Sequence, residues 1–523
     1  MLQHLLYVVA PSRLEDIKKA LSRLRSEPVT GPSMTVNYRI THRLLENMVL
    51  HVGLLTDIDG ITPYLRQHPV DLLIFDERGH DGMEAVEAVR HIHEDVLSLA
   101  QLWGPDFNFP MSRIVIVLNK TPDVDSRVFA LGRLNVRDVL IEPRNTALMM
   151  RWLKDVLYHG IVRENQVGIA LSGGAIEGFL YQIGVMHALQ VALTERSIYE
   201  VDVISGVSSG SIVGSIIAAK VPVGEVVRML HEAPSQLPTL KFATIFDLAG
   251  MTILRRIAKV SLNIHRLKPK QWLTSTIRSI PTGFFKGDKL ENYFHTIMAK
   301  HGEGDDFSQI KPRFYVGVTD QDTFEHVTFG KAPFDKVPIS AAVRASSALP
   351  PLFTPKALDG RYYIDGQVTK SCDLDSVVFD GARLVFVVDP LKPFRSHTVG
   401  SSDTQGGFYG IVQMLKALVS TRFEASLKAV SERYPDVDFL IFQPDEECAR
   451  LLAGSPLRTR MRTEVIESAF KGTLRQLRER HHVYHAKLSR YGFRLKSIEE
   501  LRSLESSYND MLVANAELAE DEA

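Results

Sequence analysis

The stretch VDVISGVSSGSIVGSIIAA, residues 201–219, joins an apolar strand-like run to an apolar helix-like run through a turn rich in Gly and Ser. The turn contains the G-x-S-x-G pattern Gly206-Val207-Ser208-Ser209-Gly210, in the strand-turn-helix context that such a nucleophile motif requires. Gly206 and Gly210 lack Cβ atoms, so the chain can turn sharply and push the Ser208 hydroxyl outward at the positive end of the following helix. Ser208 is therefore a candidate nucleophile, although an ordinary tight β-α turn uses the same residue types.

A second strand-to-helix turn lies upstream, in LSGGAIEG at residues 171–178. Consecutive glycines at a strand end expose backbone N–H groups, which can hold either a phosphate or the oxyanion of a tetrahedral intermediate. The pattern is not G-x-x-x-x-G-K-[ST], and it lacks the glycine spacing of a dinucleotide site. The oxyanion interpretation is therefore favoured over the nucleotide one.

A third piece, AAVRASSALPPLFTPKALDGRYYIDGQVTKSCDLD at residues 341–375, places Asp365-Gly366 directly after the strand-like run RYYI. A carboxylate in this position can accept the Ser208 proton only if burial and a short hydrogen bond raise its effectiveness as a base. The distance between Ser208 and Asp365 is therefore the deciding geometry.

Together the three pieces resemble the patatin-like phospholipases, a family of Ser-Asp dyad acyl hydrolases, over about residues 165–395. The resemblance implies that Ser208 is the nucleophile and Asp365 the base. It also implies an oxyanion hole built from the backbone amides of Gly173, Gly174 and Ala175. No metal or organic cofactor is expected, because no cluster of ligand residues accompanies the dyad in the sequence.

Two residues of the glycine loop depart from the family pattern, which usually has a third glycine and then a basic residue two positions later. This sequence has Ala175 and Glu177 at those places. Alanine at a positive φ costs on the order of 1 kcal/mol, which a folded domain tolerates. Glu177 is expected to repel a phosphate headgroup and a developing oxyanion.

Residues 1–162 alternate apolar strand-like runs with helical patterns, which predicts an α/β fold with a doubly wound, five-stranded parallel sheet of the receiver or flavodoxin type. The runs are LLYVVA, MVLHVGLL, VDLLIFD, RIVIVLN and VRDVLIE, and a helix over Thr146–Tyr158 would close the unit. The topology resembles the receiver domain of two-component signalling. Ala10-Pro11 and Glu142 stand where a working receiver has its acidic pair and its lysine. We therefore interpret the domain as a pseudo-receiver and Asp76 as a strand-end turn residue.

The sequence divides into three predicted regions. Residues 1–162 form the pseudo-receiver, residues 163–397 the patatin-like α/β hydrolase domain, and residues 398–523 a mainly helical region with an acidic tail. The last region contains one strand-like insert, DFLIFQP at residues 438–444, which is expected to return to the preceding sheet. It would thereby partly complete the hydrolase domain.

Composition narrows the class of protein and its partners. The chain has 523 residues, 61 Lys plus Arg against 62 Asp plus Glu, and two cysteines, which indicates ordinary globular domains in a reducing compartment and no nucleic-acid partner. A local basic stretch carries an apolar stripe at helical spacing over residues 252–270. This stretch suits either peripheral contact with a membrane or packing on a core with a solvated basic face. We expect a cytoplasmic protein, with peripheral contact at the inner face of the membrane as one of these two alternatives.

The function predicted from these features is hydrolysis of a lipid acyl ester, in a phospholipid, a lysophospholipid or a neutral acylglycerol. The alternative is a catalytically degenerate signalling or scaffold protein that acts through partners of the receiver-like domain. A Ser-His-Asp hydrolase would need a histidine after Asp365 such as His397, and nothing around His397 supports that role.

Overall fold

The structure is a computed structural model that forms two compact units. The first contains residues 1–165, 431–436 and 482–490, and the second contains residues 166–430, 437–481 and 491–523. The described residues are 4–141, 166–238, 283–394 and 407–508, except for gaps at 23–27, 31–34, 43–44, 69, 79–84, 104–108, 110, 135, 234, 236, 302–303, 435–436 and 453–458.

The first unit alternates strands and helices along its described residues. In chain order these are β1 (His4–Val9), α1 (Leu14–Ser22), β2 (Pro28–Thr30), β3 (Thr35–His42), β4 (Leu45–Leu55), α2 (Ile61–Gln67), β5 (Leu72–Asp76), α3 (Ala85–Trp103), β6 (Ile114–Leu118), α4 (Val124–Arg133) and β7 (Asp138–Ile141).

The sheet of the first unit has the strand order β2-β3-β4-β1-β5-β6-β7. Its five strands β4, β1, β5, β6 and β7 are parallel neighbours, as the sequence predicts for a doubly wound sheet. β2 and β3 add two antiparallel strands at the β4 edge, which the sequence analysis did not predict. The predicted helix over Thr146–Tyr158 lies outside the described residues.

Alternate residues of the central strands belong to two separate apolar cores, so both faces of this sheet are covered. On β1, Leu6 and Val8 pack in one core with side chains of α2, α3 and α4, while Leu5 and Tyr7 pack in the other with α1. This alternation follows from the period of two residues in a strand, and it explains why each strand reads as a continuous apolar run in the sequence.

The second unit holds the three motifs. Its described elements are β8 (Gln166–Leu171), α5 (Ala175–Ala192), β9 (Leu193–Thr194), β10 (Val203–Val207), α6 (Ser209–Ala218), α7 (Val223–Leu230), α8 (Asp288–His301), β11 (Arg313–Asp320), β12 (His326–Phe329), α9 (Ile339–Ser346), β13 (Lys356–Leu358), β14 (Arg361–Asp365), α10 (Leu374–Phe379), β15 (Ala382–Val388), α11 (Gly407–Arg433), β16 (Asp438–Phe442), α12 (Glu446–Leu452), α13 (Thr459–Glu479), α14 (His481–Ser489), β17 (Arg494–Leu495) and α15 (Ile498–Ser506).

The main sheet of this unit has the order β13-β14-β11-β10-β8-β15-β16, with β12 paired to β11. Strands β11, β10, β8, β15 and β16 are parallel neighbours, whereas β12, β13 and β14 join by antiparallel pairing. The segment 438–444 thus returns to the preceding sheet as β16, as the sequence predicts, and the rest of the described C-terminal region is mainly helical. No helix among the described residues is long and apolar enough to cross a membrane.

The C-terminal region also contributes to the first unit, since residues 431–436 and 482–490 group with it. Arg490 forms a buried ion pair with Asp71, and Asp71 in turn accepts a hydrogen bond from the backbone N–H of His4 at 2.9 Å. A buried aspartate requires such partners, but Asp71 and Arg490 are 419 positions apart, so no local sequence pattern indicates the contact.

Candidate active site

The turn between β10 and α6 holds Ser208 in a strained backbone conformation, with φ 53° and ψ −123°. A non-glycine residue rarely adopts such angles unless the surroundings impose them. Steric crowding requires glycine at positions 206 and 210. A Cβ on Gly206 would lie 2.4 Å from the Gly210 carbonyl oxygen, and a Cβ on Gly210 would lie 2.3 Å from the Leu171 carbonyl oxygen. The G-x-S-x-G pattern therefore produces a sharp turn with the serine at its apex.

Ser346, at the end of α9, links this turn to β11 by hydrogen bonds. Its Oγ accepts a hydrogen bond from the backbone N–H of Ser208 at 2.8 Å and donates one to the Gly317 carbonyl oxygen at 2.7 Å. Ser211 adds a third contact by donating from its Oγ to the Ser208 carbonyl oxygen at 2.6 Å. No local sequence pattern marks Ser346, since its partners are far away along the chain.

Strand β11 brings the two candidate catalytic side chains together. Its consecutive residues Gly317 and Val318 pair with Val207 at the end of β10 and with Asp365 at the end of β14. Close approach at this junction requires Gly366, because a Cβ there would lie 2.2 Å from the Gly317 carbonyl oxygen. Ser208 Oγ then donates a hydrogen bond to Asp365 Oδ2 at 2.7 Å.

The environment of Asp365 makes its carboxylate a stronger base than usual. Burial raises the pKa of Asp365 to about 6, while hydrogen bonds from Ser208 and from the backbone N–H of Gln367 oppose part of that rise. The Gln367 N–H lies 2.9 Å from Asp365 Oδ1, so each carboxylate oxygen has one donor. A base with a pKa near the working pH combines ionisation with a useful affinity for the proton.

A polar network continues from Asp365 into the protein. Thr319 Oγ1 donates to the Asp365 carbonyl oxygen at 3.0 Å and lies 2.9 Å from Thr369 Oγ1, which lies 3.2 Å from His326 Nδ1. Beyond it, Lys370 forms an ion pair with the buried Asp373 at 2.6 Å. Burial raises the pKa of Asp373, but hydrogen bonding and the charges of its partners outweigh burial and hold that pKa well below its usual range. The network fixes the turn after β14.

The glycine loop lies between β8 and α5. Gly174 caps the helix, and Ala175 has a φ of 53°, the positive value that the missing third glycine would adopt without strain. The backbone N–H of Gly173 donates to the Ser371 carbonyl oxygen at 3.4 Å. The amides of Gly174 and Ala175 precede or open the first turn of α5, where helical amides have no acceptor within the helix.

The buried side chain of Asp389 stabilises the start of the glycine loop through hydrogen bonds. Asp389 accepts hydrogen bonds from Ser172 Oγ at 2.7 Å and from Gln443 Nε2 at 2.9 Å. Burial raises the pKa of Asp389, and these two donors oppose the rise. Because Ser172 directly precedes Gly173, the hydrogen bonds position the start of the loop.

Lys416 of α11 offsets the charge of Glu177, the second departure from the family pattern. Burial raises the pKa of the half-buried Glu177, and a hydrogen bond from its own backbone N–H and the charge of Lys416 oppose this rise. Burial likewise lowers the pKa of Lys416, and Glu177 opposes that change. Glu177 departs recognisably from the family pattern, whereas Lys416 lies 239 positions later and no sequence pattern links the two residues.

In the first unit, Asp76 at the end of β5 is buried and already paired. Arg78 donates to both of its carboxylate oxygens, from Nε at 2.8 Å and from Nη2 at 2.7 Å. Tyr7 donates from its hydroxyl at 3.2 Å, and Arg13 lies 3.6 Å away. These contacts neutralise the carboxylate without a metal ion.

Several predicted features fall outside the described residues, namely Glu142, His397 and the basic stretch over residues 252–270. Among the residues that the structure does describe, no group of three or more His, Cys, Asp or Glu side chains could hold a metal ion.

Comparison with known proteins bears on the second unit. Residues 169–378 match a family model described as patatin-like phospholipase. The crystal structure of VipD from Legionella pneumophila aligns at 15% identity and a TM-score of 0.29, over 66% of this chain and 75% of that chain. A TM-score this low carries no argument about fold or function.

The family match includes both Ser208 and Asp365, and it indicates a lipid acyl hydrolase family for residues 169–378. The chain carries a patatin-like phospholipase domain, so the family recognised from the three sequence motifs is confirmed.

Proposed function

We propose that this protein hydrolyses lipid acyl esters with Ser208 as nucleophile and Asp365 as general base. The observation that carries the proposal is the 2.7 Å hydrogen bond from Ser208 Oγ to Asp365 Oδ2, at a strained turn in which both side chains are buried. A serine hydroxyl is a weak nucleophile until a base in hydrogen-bond reach takes its proton. The raised pKa of Asp365 suits that role.

In the first half of the reaction, Ser208 Oγ forms a bond with the acyl carbonyl carbon while its proton moves to Asp365. The amides of the loop 173–175 would hold the resulting oxyanion, with Gly174 and Ala175 better placed than Gly173, whose N–H already faces Ser371. The tetrahedral intermediate then collapses, the ester C–O bond breaks, and the leaving alcohol takes the proton from Asp365.

In the second half, a water molecule attacks the acyl-enzyme. Asp365 accepts a proton from that water, the Ser208 ester bond breaks, and Ser208 recovers its proton. The carboxylate therefore acts as base in each half and returns to its starting state. No other ionisable group is needed in this sequence of steps.

Labelling with a fluorophosphonate probe tests the assignment directly. The full-length protein is expected to form a stable adduct on Ser208, identified by peptide mass spectrometry, and the Ser208→Ala variant is expected to form none. Equal labelling of both proteins would show that another residue is the nucleophile. No labelling of the wild type, together with no hydrolysis of a short-chain ester, would favour the scaffold alternative.

Glu177 is expected to disfavour anionic phospholipids, because its carboxylate lies in the first turn of α5, directly after the glycine loop. We predict that neutral or lysophospholipid esters are hydrolysed at least as fast as anionic diacyl phospholipids. Glu177→Arg should shift the ratio of kcat/KM values towards the anionic lipid by about tenfold, which corresponds to roughly 1.4 kcal/mol.

Two further variants sharpen this test. Glu177→Gln removes the charge at nearly constant size and should shift the ratio in the same direction by less. Lys416→Met removes the offsetting charge and should shift it the opposite way. An unchanged or lower preference of Glu177→Arg for anionic lipid in a mixed-micelle assay would contradict the electrostatic explanation.

We further propose that residues 1–162 act as a pseudo-receiver that regulates or positions the hydrolase domain through protein contacts. Asp76 is expected not to accept a phosphoryl group, because Arg78 already occupies both of its oxygens and phosphoryl transfer to a carboxylate requires a metal to offset charge.

Incubation of the full-length protein with acetyl phosphate and Mg²⁺ should therefore leave its intact mass unchanged. A matched Asp138→Asn variant, which alters an exposed aspartate of the same sheet, controls for carboxylate loss elsewhere in the unit. A mass increase of one phosphoryl group that disappears in Asp76→Asn but persists in Asp138→Asn would overturn the prediction.

A further inference from the structure

Helix α11 carries a row of large apolar side chains that the protein leaves exposed. Ile411, Met414, Leu415 and Leu418 are 55%, 55%, 51% and 59% exposed, respectively. Their spacing of i, i+3, i+4 and i+7 places them on one face of the helix. We call these four residues the α11 stripe. Scattered exposed leucines are ordinary, but four on one face mark a surface that contacts something apolar.

The α11 stripe adjoins the candidate active site. Arg422 lies on the same helical row, four residues after Leu418, and donates from its guanidinium to the carbonyl oxygens of Val368 at 2.9 Å and Gln367 at 3.1 Å. Those carbonyls belong to the turn that directly follows Asp365. Ser371, in the same loop, donates from its Oγ to the Val419 carbonyl oxygen at 3.3 Å.

A charge interaction relates the helix to the segment after the glycine loop. Lys416 lies on α11 between stripe residues, and it interacts electrostatically with Glu177 in the first turn of α5. Hydrogen bonds thus join α11 to the loop after Asp365, and the charge of Lys416 acts on Glu177 in the first turn of α5. Whatever binds the α11 stripe is brought next to the dyad.

The charge of the α11 segment that carries the stripe indicates what kind of partner the stripe binds. The sequence GFYGIVQMLKALVSTRF, residues 407–423, contains two basic residues and no acidic one. Ala417 is also exposed beside the stripe. An apolar face on a helix segment without acidic residues suits a lipid surface, where acyl chains receive the apolar groups and the anionic phosphates meet no like charge from the segment.

We propose that the α11 stripe docks on a lipid surface and so brings the dyad close to the esters in it. This inference rests on the proposed function, because lipid esters are the substrate that would make such a location useful. It assigns the interfacial contact to α11 rather than to the basic stretch over residues 252–270.

Vesicle sedimentation tests the docking step independently of catalysis. Full-length Leu415→Asp/Leu418→Asp protein is expected to partition at least about tenfold less onto phosphatidylcholine vesicles containing one-fifth phosphatidylglycerol, since it places two charges where apolar groups should enter the membrane. The matched control is Leu97→Asp, which alters a 47% exposed leucine of α3 in the other unit, and it should change partitioning by less than about twofold.

The ratio of vesicle-substrate to soluble short-chain ester hydrolysis gives the functional readout. This ratio should fall at least about fivefold in the stripe variant and stay constant in the control. Reduced vesicle binding with no ester hydrolysis in the wild type would refute the proposed function but not the docking surface. Unchanged vesicle binding by the stripe variant would refute the docking surface alone.

A conservative variant covers the case in which the double substitution disturbs folding. Leu418→Trp keeps the site apolar, and brominated lipids should quench its added fluorescence relative to the wild type. Absence of that added quenching would overturn the proposal. So would a stripe variant that loses self-association in sedimentation velocity while keeping its vesicle affinity, because the occupant would then be a second copy of the chain.

Discussion

Replacing Ser208 by Ala or Asp365 by Asn is expected to lower kcat for ester hydrolysis by about 10³-fold or more. Ser208→Ala removes the atom that forms the acyl-enzyme, and Asp365→Asn replaces the acceptor of its proton with an amide that cannot take one. Each change removes one half of a unit joined by a 2.7 Å hydrogen bond. Turnover of a chromogenic short-chain ester, measured with purified full-length protein, checks the prediction.

The double variant should be no less active than the worse single variant, because residues that act as one unit have non-additive effects. Ser209→Ala is the matched control, since it makes the same substitution one residue away in the same turn. The Ser209→Ala variant keeps the backbone N–H at position 209, and the activity of this variant should stay within about threefold of wild type. The dyad assignment would be contradicted if the double variant lost the product of the two single-variant losses in kcat. It would also be contradicted if either single variant kept near wild-type turnover.

The residues of this candidate dyad could be selected from the sequence because each sits in a short, local pattern. Gly206 and Gly210 mark a turn whose geometry depends on neighbouring residues only, and Asp365-Gly366 ends a recognisable strand. What joins them is β11, whose Gly317 and Val318 pair with both. No pattern within β11 itself indicates that pairing.

The contacts that support the candidate site could not be predicted from the sequence, because they also join residues that are far apart along the chain. Ser346 Oγ accepts a hydrogen bond from the Ser208 amide across 138 positions, and the charge of Lys416 acts on Glu177 across 239. A single serine or lysine is uninformative until the fold supplies its partner. The repulsion expected from Glu177 is therefore reduced in the structure by a charge that sequence reasoning could not place.

In the first unit, the parallel order of the sheet was predictable because apolar runs alternate with helices. The added strands β2 and β3 were not, since Pro28–Thr30 is too short for a clear period of two and Thr35–His42 mixes polar with apolar residues. The absence of a receiver's acidic pair was visible in the sequence, whereas the pairing of Asp76 with Arg78 required side-chain geometry.

Asp365→Asn is also expected to stabilise the protein at neutral pH while it abolishes catalysis. Burial raises the pKa of Asp365 to about 6, compared with about 3.9 in an unfolded chain. Between these values the folded protein holds a proton that the unfolded chain has released, so the free energy of unfolding falls as pH rises through this window. Above it, the wild type carries a buried charge and the Asn variant does not.

The size of the effect follows from the same two values. A difference of about two pKa units corresponds to roughly 3 kcal/mol, and Asn can keep both contacts by accepting from the Gln367 N–H and donating to Ser208 Oγ. In urea denaturation, Asp365→Asn should therefore exceed the wild type by roughly 2–3 kcal/mol at pH 7.5, and the difference should vanish near pH 4.

Asp320→Asn, at the end of β11, is the control of opposite sign. Burial alone would raise the pKa of Asp320, but amide hydrogen bonds from Thr323 and Asp322 and the contact with Arg361 outweigh it and lower that pKa. Its ionised form thus stabilises the fold, so Asp320→Asn should lose stability at pH 7.5 and approach the wild type as pH falls. If Asp365→Asn also lost stability at pH 7.5, the ionised form of Asp365 would stabilise the fold. Asp365 would then be an ordinary structural carboxylate and not a base whose pKa is raised by burial.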